Sequence, residues 1–95
     1  MPMGNPIGIL SIKGLIMYKT SDLYFAAYLK VAGVPFQDTE WEGRRMFFVF
    51  EDQGQDVMRN LKKEYFSDKA KVSAMSFVQA VKLMKNLTHQ EAPNV

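Results

Sequence analysis

The run Met-Phe-Phe-Val-Phe stands between two arginines and two acids near the middle of the chain. Successive side chains of a strand point to opposite faces, so Met46, Phe48 and Phe50 would line one face and Phe47 and Val49 the other. Neither face would then be polar. An exposed edge strand of this composition would be a template for aggregation, so the pattern predicts a central strand that is covered on both faces.

A β-hairpin is predicted around this run, with arms at residues 36–41 and 44–51. Glu42-Gly43 would form the turn, because glycine accepts the positive φ of a tight connection. The first arm places Gln37, Thr39 and Trp41 on one face and more polar neighbours on the other, which is typical of a half-exposed strand near an edge.

A short strand at residues 15–18 and a helix at residues 23–32 are predicted before the hairpin. Thr-Ser-Asp at positions 20–22 offers an N-cap, and Gly33 ends the helix. This helix has little polar surface apart from Lys30 and its tyrosine hydroxyls. We therefore expect it to be wedged between two layers.

Two further helices and a short strand are predicted after the hairpin. Asp56 would cap the second helix, and Ser73 the third. The second helix carries one apolar stripe, composed of Val57, Met58, Leu61 and Tyr65. The third carries another, composed of Phe77, Ala80, Val81, Met84 and Leu87. Residues 69–72 alternate lysine with apolar residues, which favours a strand between the two helices.

The resulting order, βαββαβα, predicts an α+β domain with a small antiparallel sheet packed by three helices, a ferredoxin-like variant. The alternative is a hairpin packed on three helices, with residues 69–72 as a loop. Residues 17–88 would form a single domain and residues 89–95 a flexible tail. Residues 1–16 are either an N-terminal extension, with Met17 as the biological start, or an extra edge strand at residues 9–12.

Composition limits the class of protein. The 95 residues suffice for one domain, and the absence of cysteine excludes a disulfide, a thiol nucleophile and a thiolate metal site. No apolar run approaches the roughly 20 residues that cross a bilayer, so a cytoplasmic protein is the default expectation. The net charge of +2 divides into an acidic stretch around the hairpin and a basic second half. This mild dipole permits an anionic partner without requiring one.

No catalytic or cofactor-binding residue is predicted. The one histidine, His89, falls at the start of the expected tail, and the glycines lack the spacing of a phosphate-binding loop. Glu51, Asp52 and Asp56 could gather around a hard cation. Their spacing is not that of a calcium loop, so a turn and a helix cap explain them more simply, and we predict no metal site.

Three segments resemble a family of short, uncharacterised bacterial and phage proteins that is known as a domain of unknown function. The opening from Met17 to Leu29, the Gly43-Arg44-Arg45 turn into the aromatic strand, and the segment that begins Val-Ser at position 72 carry the likeness. It covers about residues 17–87. The resemblance implies a phage or mobile-element setting and favours Met17 as a start, and it implies no catalytic residue.

Nucleic-acid binding is one possible function. RNA-recognition modules share the βαββαβ order and stack bases on aromatic residues of the sheet. Here Arg45, Phe47 and Val49 would share a face that Tyr18 could join. This face is instead ordinary core if the third helix covers it, and a self-association surface is the remaining alternative.

Other candidate partner-binding residues are basic or aromatic. Arg44 and Arg45 at the hairpin tip could grip a phosphate or pair with nearby glutamates. A basic patch could form from Lys62, Lys63, Lys69 and Lys71. Trp41 is the best single anchor for a protein partner, and it could equally pack at the edge of the core.

The sequence thus predicts a non-enzymatic binding or regulatory module that uses no cofactor. A phage or mobile-element accessory protein that contacts a protein partner or a second copy of itself is the leading interpretation. The alternative is a nucleic-acid-binding protein that uses the arginine-tipped hairpin and the lysine-rich second half.

Overall fold

The computed structural model describes residues 16–89 of the chain. They form three strands, β1 (Met17–Thr20), β2 (Phe36–Glu42) and β3 (Arg45–Glu51). They also form three helices, α1 (Leu23–Val31), α2 (Gln55–Phe66) and α3 (Ala74–Thr88). The order is βαββαα, which confirms a small α+β fold.

The sheet is antiparallel with the order β1-β3-β2, so the prediction that β3 is central is confirmed. The hairpin turn lies one residue later than predicted. Glu42 still pairs with Arg45, and the turn consists of Gly43 and Arg44. Gly43 has a φ of 65°, a value that glycine adopts without steric cost.

A β-bulge at Gln37 changes the alternation predicted for β2. Phe36 pairs with Phe50, whereas Asp38 pairs with the next residue of β3, Val49. The extra residue moves Phe36 to the core side together with Thr39 and Trp41, because a bulge shifts the alternation by one position. The alternation expected from the sequence places Phe36 on the face opposite to Thr39 and Trp41.

Helix α1 is enclosed, as predicted. Asp22 is its N-cap, and the carboxylate accepts a hydrogen bond from the backbone N–H of Phe25 at 3.0 Å. Five consecutive residues, Phe25 to Leu29, are buried, which requires cover on more than one side. One side faces the sheet, and α3 packs on the other. Gly33, with a φ of 97°, ends the helix.

Helix α2 starts earlier and is less buried than predicted. Its N-cap is Gly54 rather than Asp56, and the N–H of Gly54 donates to the Asp52 carboxylate at 2.8 Å. Met58 is buried, but Val57 keeps 46% of its surface exposed and does not belong to the inner stripe.

Helix α3 agrees with the sequence pattern. The Ser73 hydroxyl accepts a hydrogen bond from the N–H of Ser76 at 3.3 Å, which confirms the predicted cap. Ala80 and Met84 are buried, and the rest of the predicted stripe packs around them.

The strand predicted at residues 69–72 is absent; these residues are a loop. Asp68 adopts a positive φ of 64°, and the N–H groups of Lys69 and Ala70 both donate to the carbonyl of Glu64, at 3.0 and 3.1 Å. The N–H groups of Lys69 and Ala70 therefore end α2 and are not available to hydrogen-bond to a neighbouring strand. For residues 69–72 the structure agrees with the alternative topology, in which they are a loop.

The extra strand predicted at residues 9–12 and most of the predicted tail lie outside the described residues. Among the three helices that the structure describes, none combines the length and the apolar character needed to cross a bilayer.

Candidate protein-interaction groove

The two faces of β3 have different surroundings. Met46, Phe48 and Phe50 point into a core built with all three helices. Phe47 and Val49 point to the other side, where no helix or strand among residues 16–89 packs. The alternative in which the third helix covers Phe47 does not hold, because α3 packs on α1 in the helical layer.

A lysine bridges the open face of the sheet. Lys19 on β1 reaches over β3 to the carboxylates of Glu40 and Glu42 on β2, with Nζ to Oε2 distances of 3.1 and 3.0 Å. These hydrogen bonds, first to Glu42 and then to Glu40, raise the pKa of the Lys19 ammonium. Lys19 is the cross-strand neighbour of Val49, and Glu40 is that of Phe47. Val49 is only 7% exposed and Phe47 is half-buried.

The open face is acidic rather than basic. Cross-strand neighbours share a face, so the register assigns its charged residues: Asp38, Glu40, Glu42 and Glu51 against Lys19 and Arg45. Tyr18 is not on this face. It pairs with Phe50 and packs against the core, so it does not join Phe47 as a second stacking aromatic.

The other predicted site residues are dispersed. Arg44 and Arg45 are exposed at the hairpin end, and Trp41 is half-buried and packs against the core. The predicted basic patch lies in the helical layer, away from Phe47, with all its members exposed: Lys62 and Lys63 on α2, and Lys69 and Lys71 in the loop that follows. The structure therefore does not unite the lysines with Phe47.

A groove of about 720 Å³ lies between β1 and α2. Tyr18 and Met58 provide apolar surface inside it, and Ile16 stands at its mouth with 71% of its surface exposed. Arg59 and Lys62, one turn apart on α2, line the same groove. Of the residues predicted to bind a partner, only Lys62 lines it.

The groove carries a small excess of positive charge. Asp52 contributes one carboxylate to the lining, against two cations. Arg59 has a loose ion pair with Asp56 at 4.0 Å, and no carboxylate among the described residues comes within ion-pair distance of Lys62. Burial, and then the charge of Asp52, raise the pKa of the Tyr18 hydroxyl, which is therefore neutral at physiological pH.

Among residues 16–89, no strand pairs with β1 on the side away from β3. The N–H of Asp52 donates to the carbonyl of Ile16 at 2.9 Å, and β3 continues in register with Tyr18 opposite Phe50. Hydrogen-bonded positions alternate in an antiparallel pair, so Ile16, Tyr18 and Thr20 face β3. Met17 and Lys19 consequently direct their N–H and C=O groups to the free edge.

Aromatic side chains connect the walls of the groove to the core. The ring of Phe25 on α1 lies 6.4 Å from Tyr18 on β1, and 5.2 and 5.6 Å from Tyr65 and Phe66 on α2, measured between centroids. Such pairs favour edge-to-face and offset arrangements, which define the relative positions of the two walls.

No metal site accompanies the groove in residues 16–89, because no three histidine or carboxylate side chains come together there. The carboxylate of Asp52 instead accepts the N–H of Gly54 at the start of α2.

Sequence reasoning missed Ile16, Tyr18 and Met58 as lining residues. The available signal was the short, apolar strand predicted at residues 15–18, for which the sequence indicated no neighbours. The groove depends on the position of β1 at the edge of the sheet, with β3 on its other side.

The fold and the groove define a small α+β domain with an open sheet edge. The chain belongs to the family described as Domain of unknown function (DUF5659), whose model matches residues 16–90. This confirms the family resemblance found in the sequence. Neither the comparison with curated proteins nor the comparison with solved structures gave a match.

Proposed function

We propose that this domain is a non-enzymatic protein-interaction module and that the groove between β1 and α2 takes a segment of a partner protein. The observation that carries the proposal is an open, largely apolar groove beside the edge of β1 that no other described strand pairs with. Binding sites are typically concave and apolar, with a few polar groups at defined positions, and the groove has this composition.

An exposed apolar side chain at the mouth of the groove supports the proposal. Ile16 is 71% exposed and lines the groove together with Tyr18 and Met58. Apolar exposure beside a concavity is a common mark of a protein-binding surface. The phage or mobile-element setting and the cytoplasmic location remain predictions of the sequence.

Nucleic-acid binding has less support. Phe47 shares the open face with four carboxylates, which repel phosphates, and the lysines of the predicted basic patch lie in the other layer of the domain. Arg44 and Arg45 remain the best candidates for a phosphate contact. A salt-titrated binding assay with an Arg44→Ala/Arg45→Ala variant tests this alternative, which requires an affinity that falls with salt and with the double substitution.

Selection of binders from a displayed library of random 12-residue peptides tests the main proposal. The full chain serves as bait, and enriched peptides are then measured against two variants. Ile16→Asp places a charge at the mouth of the groove, and Met75→Asp places the same charge on α3, at a side chain of similar exposure, 67% against 71%.

We expect Ile16→Asp to weaken the selected peptides at least about tenfold, a loss of about 1.4 kcal/mol. Met75→Asp should leave their affinity unchanged. The absence of enriched peptides, or equal losses with both variants, would exclude the groove as the binding site.

A further inference from the structure

We infer that the partner segment binds as a fourth strand on the free edge of β1 and that it carries an acidic residue facing α2. This inference rests on the proposed function, because it specifies the occupant of the same groove. It names a backbone contact, a side-chain pattern and a charge, and each of these can be tested separately.

The backbone N–H and C=O groups of alternate β1 residues point to the free edge, as strand addition requires. Met17 and Lys19 direct their N–H and C=O groups away from β3, as the pairing of Ile16 with Asp52 requires. An extended segment beside β1 would hydrogen-bond to both residues. Edge strands commonly recruit peptides in this way, with the main chain supplying affinity and alternate side chains supplying specificity.

The groove lies where the added strand would place alternate side chains. A neighbouring strand runs about 4.8 Å from β1, and every second residue points to the same side of the sheet. On the core side these residues would enter the groove next to Tyr18 and against Met58. This environment favours apolar side chains at two successive inward positions.

The charges on α2 favour an acid at a further inward position. Arg59 and Lys62 line the groove against the single carboxylate of Asp52, so the residues that line it carry a small excess of positive charge. The distance of 4.0 Å between Arg59 and Asp56 leaves the guanidinium free to turn to a closer partner. A carboxylate on the added strand complements this side, whereas a lysine would be repelled.

The probe is a capped peptide, Thr-Ile-Thr-Ile-Thr-Glu-Thr, which presents its two isoleucines and its glutamate on one side when extended. Two isomers carry one N-methyl group each, on adjacent central residues, so that only one of them removes an N–H directed at β1. We expect one isomer to bind at least tenfold more weakly and the other to match the parent within twofold. Equal affinities for both isomers would overturn strand addition.

The matching variants of the protein are Met17→Pro and Met17→Ala. Proline removes an N–H that faces the free edge without removing a hydrogen bond to β3, and alanine shortens the side chain but keeps the N–H. We expect Met17→Pro to abolish binding and Met17→Ala to reduce it less than threefold. Circular dichroism establishes whether each variant is folded. If Met17→Pro does not fold, the two N-methylated peptides still test strand addition on the unchanged protein.

The charge is tested by a swap between Lys62→Glu and a peptide in which lysine replaces glutamate. Each change alone should weaken binding, and the two together should restore at least half of the lost free energy. If the losses of binding free energy from the two changes simply add, with no recovery in the pair, an acidic residue is not required in the partner segment.

Amide exchange in the peptide-free chain tests whether something other than a partner segment already pairs with the edge of β1. The N–H groups of Met17 and Lys19 should exchange rapidly without peptide and become protected with it. Protection before peptide is added would mean that a second copy or residues 1–15 already occupy the edge, and it would overturn the inference. Library peptides that lose affinity with Ile16→Asp but not with Met17→Pro would preserve the proposed function and exclude strand addition.

Discussion

Phe47 and Phe48 are neighbours in sequence, yet they lie in different environments. Phe48 is 1% exposed in the core, whereas Phe47 lies on the open face beside the lysine bridge. The strand pleat separates them, because successive side chains point to opposite faces. An apolar run can therefore occur in a central strand even when helices cover only one side of the sheet, if cross-strand side chains shield the other.

Alanine substitutions at these two positions should have very different effects. Phe48→Ala leaves a cavity in the core and should lower the free energy of unfolding by about 3–5 kcal/mol. Phe47→Ala removes a partly solvated ring and should cost under about 2 kcal/mol. Urea unfolding of the two variants measures both values. A cost at Phe47 equal to that at Phe48 would mean that the open face is covered in solution.

Helix α2, which forms one wall of the groove, is less anchored in the core than α1. It contributes one buried residue, Met58, whereas α1 contributes five, Phe25 to Leu29. Leu61 and Tyr65 are only partly buried. Opening free energies follow the burial of apolar contacts, so α2 belongs to the less stable part of the domain. A groove wall of this kind can adjust to a ligand at low cost.

Native-state hydrogen exchange should show this difference. We expect the amides of α2 to exchange through local opening, with protection well below that of the central amides of α1 and β3. Exchange followed by NMR at several low urea concentrations distinguishes local from global opening. Equal protection in α2 and β3 would contradict the prediction and would make the groove wall as rigid as the core.

Elements whose signals are local could be predicted from the sequence. The cap predicted within residues 20–22, the cap at Ser73 and the central strand agree with the structure, because capping and alternation depend on residues a few positions apart. The family resemblance was also confirmed. The bulge at Gln37 was not predicted, and the loop at residues 69–72 was only the alternative to a strand, since the local alternation gave no sign of the bulge or of the hydrogen bonds that end α2.

The site was less predictable than the fold. Trp41 and Phe47 were selected by residue type, but their surroundings depend on which side of the sheet the helices occupy. In the structure α3 packs on α1, and an apolar stripe on a helix does not by itself specify which surface the stripe covers. The groove likewise depends on the strand order β1-β3-β2, a long-range property that no local pattern encodes.

The whole domain has two chemically distinct sides. The helical layer carries most of the lysines, and the open face of the sheet carries four carboxylates against two cations. The groove lies between the two layers at the edge of the sheet. An added strand would therefore have one row of side chains in the helical layer and one on the open face, where Met17 and Lys19 are the nearest neighbours.

Tyrosine ionisation should limit the stability of the whole domain at alkaline pH. Burial raises the pKa of Tyr28 and of Tyr65, with smaller effects from Glu64 on Tyr28 and from Asp22 and Tyr24 on Tyr65. The two rings lie 5.4 Å apart, in the contact between α1 and α2. A raised pKa means that the folded state favours the neutral phenol. The associated stability is fully present below pH 10, the ordinary pKa of tyrosine, and is lost as pH rises through the folded-state values.

We therefore expect the free energy of unfolding to fall from pH 9 to pH 11.5, with much of the fall absent in a Tyr28→Phe/Tyr65→Phe variant. Phenylalanine keeps the ring but removes the ionisable hydroxyl. The raised pKa of the Lys19 ammonium acts in the same direction, but it is common to both proteins and cancels in the comparison. Urea unfolding at several pH values gives the two slopes. Identical slopes would mean that these hydroxyls ionise as readily in the folded chain as in the unfolded one, and that the contact between α1 and α2 does not exclude water from them.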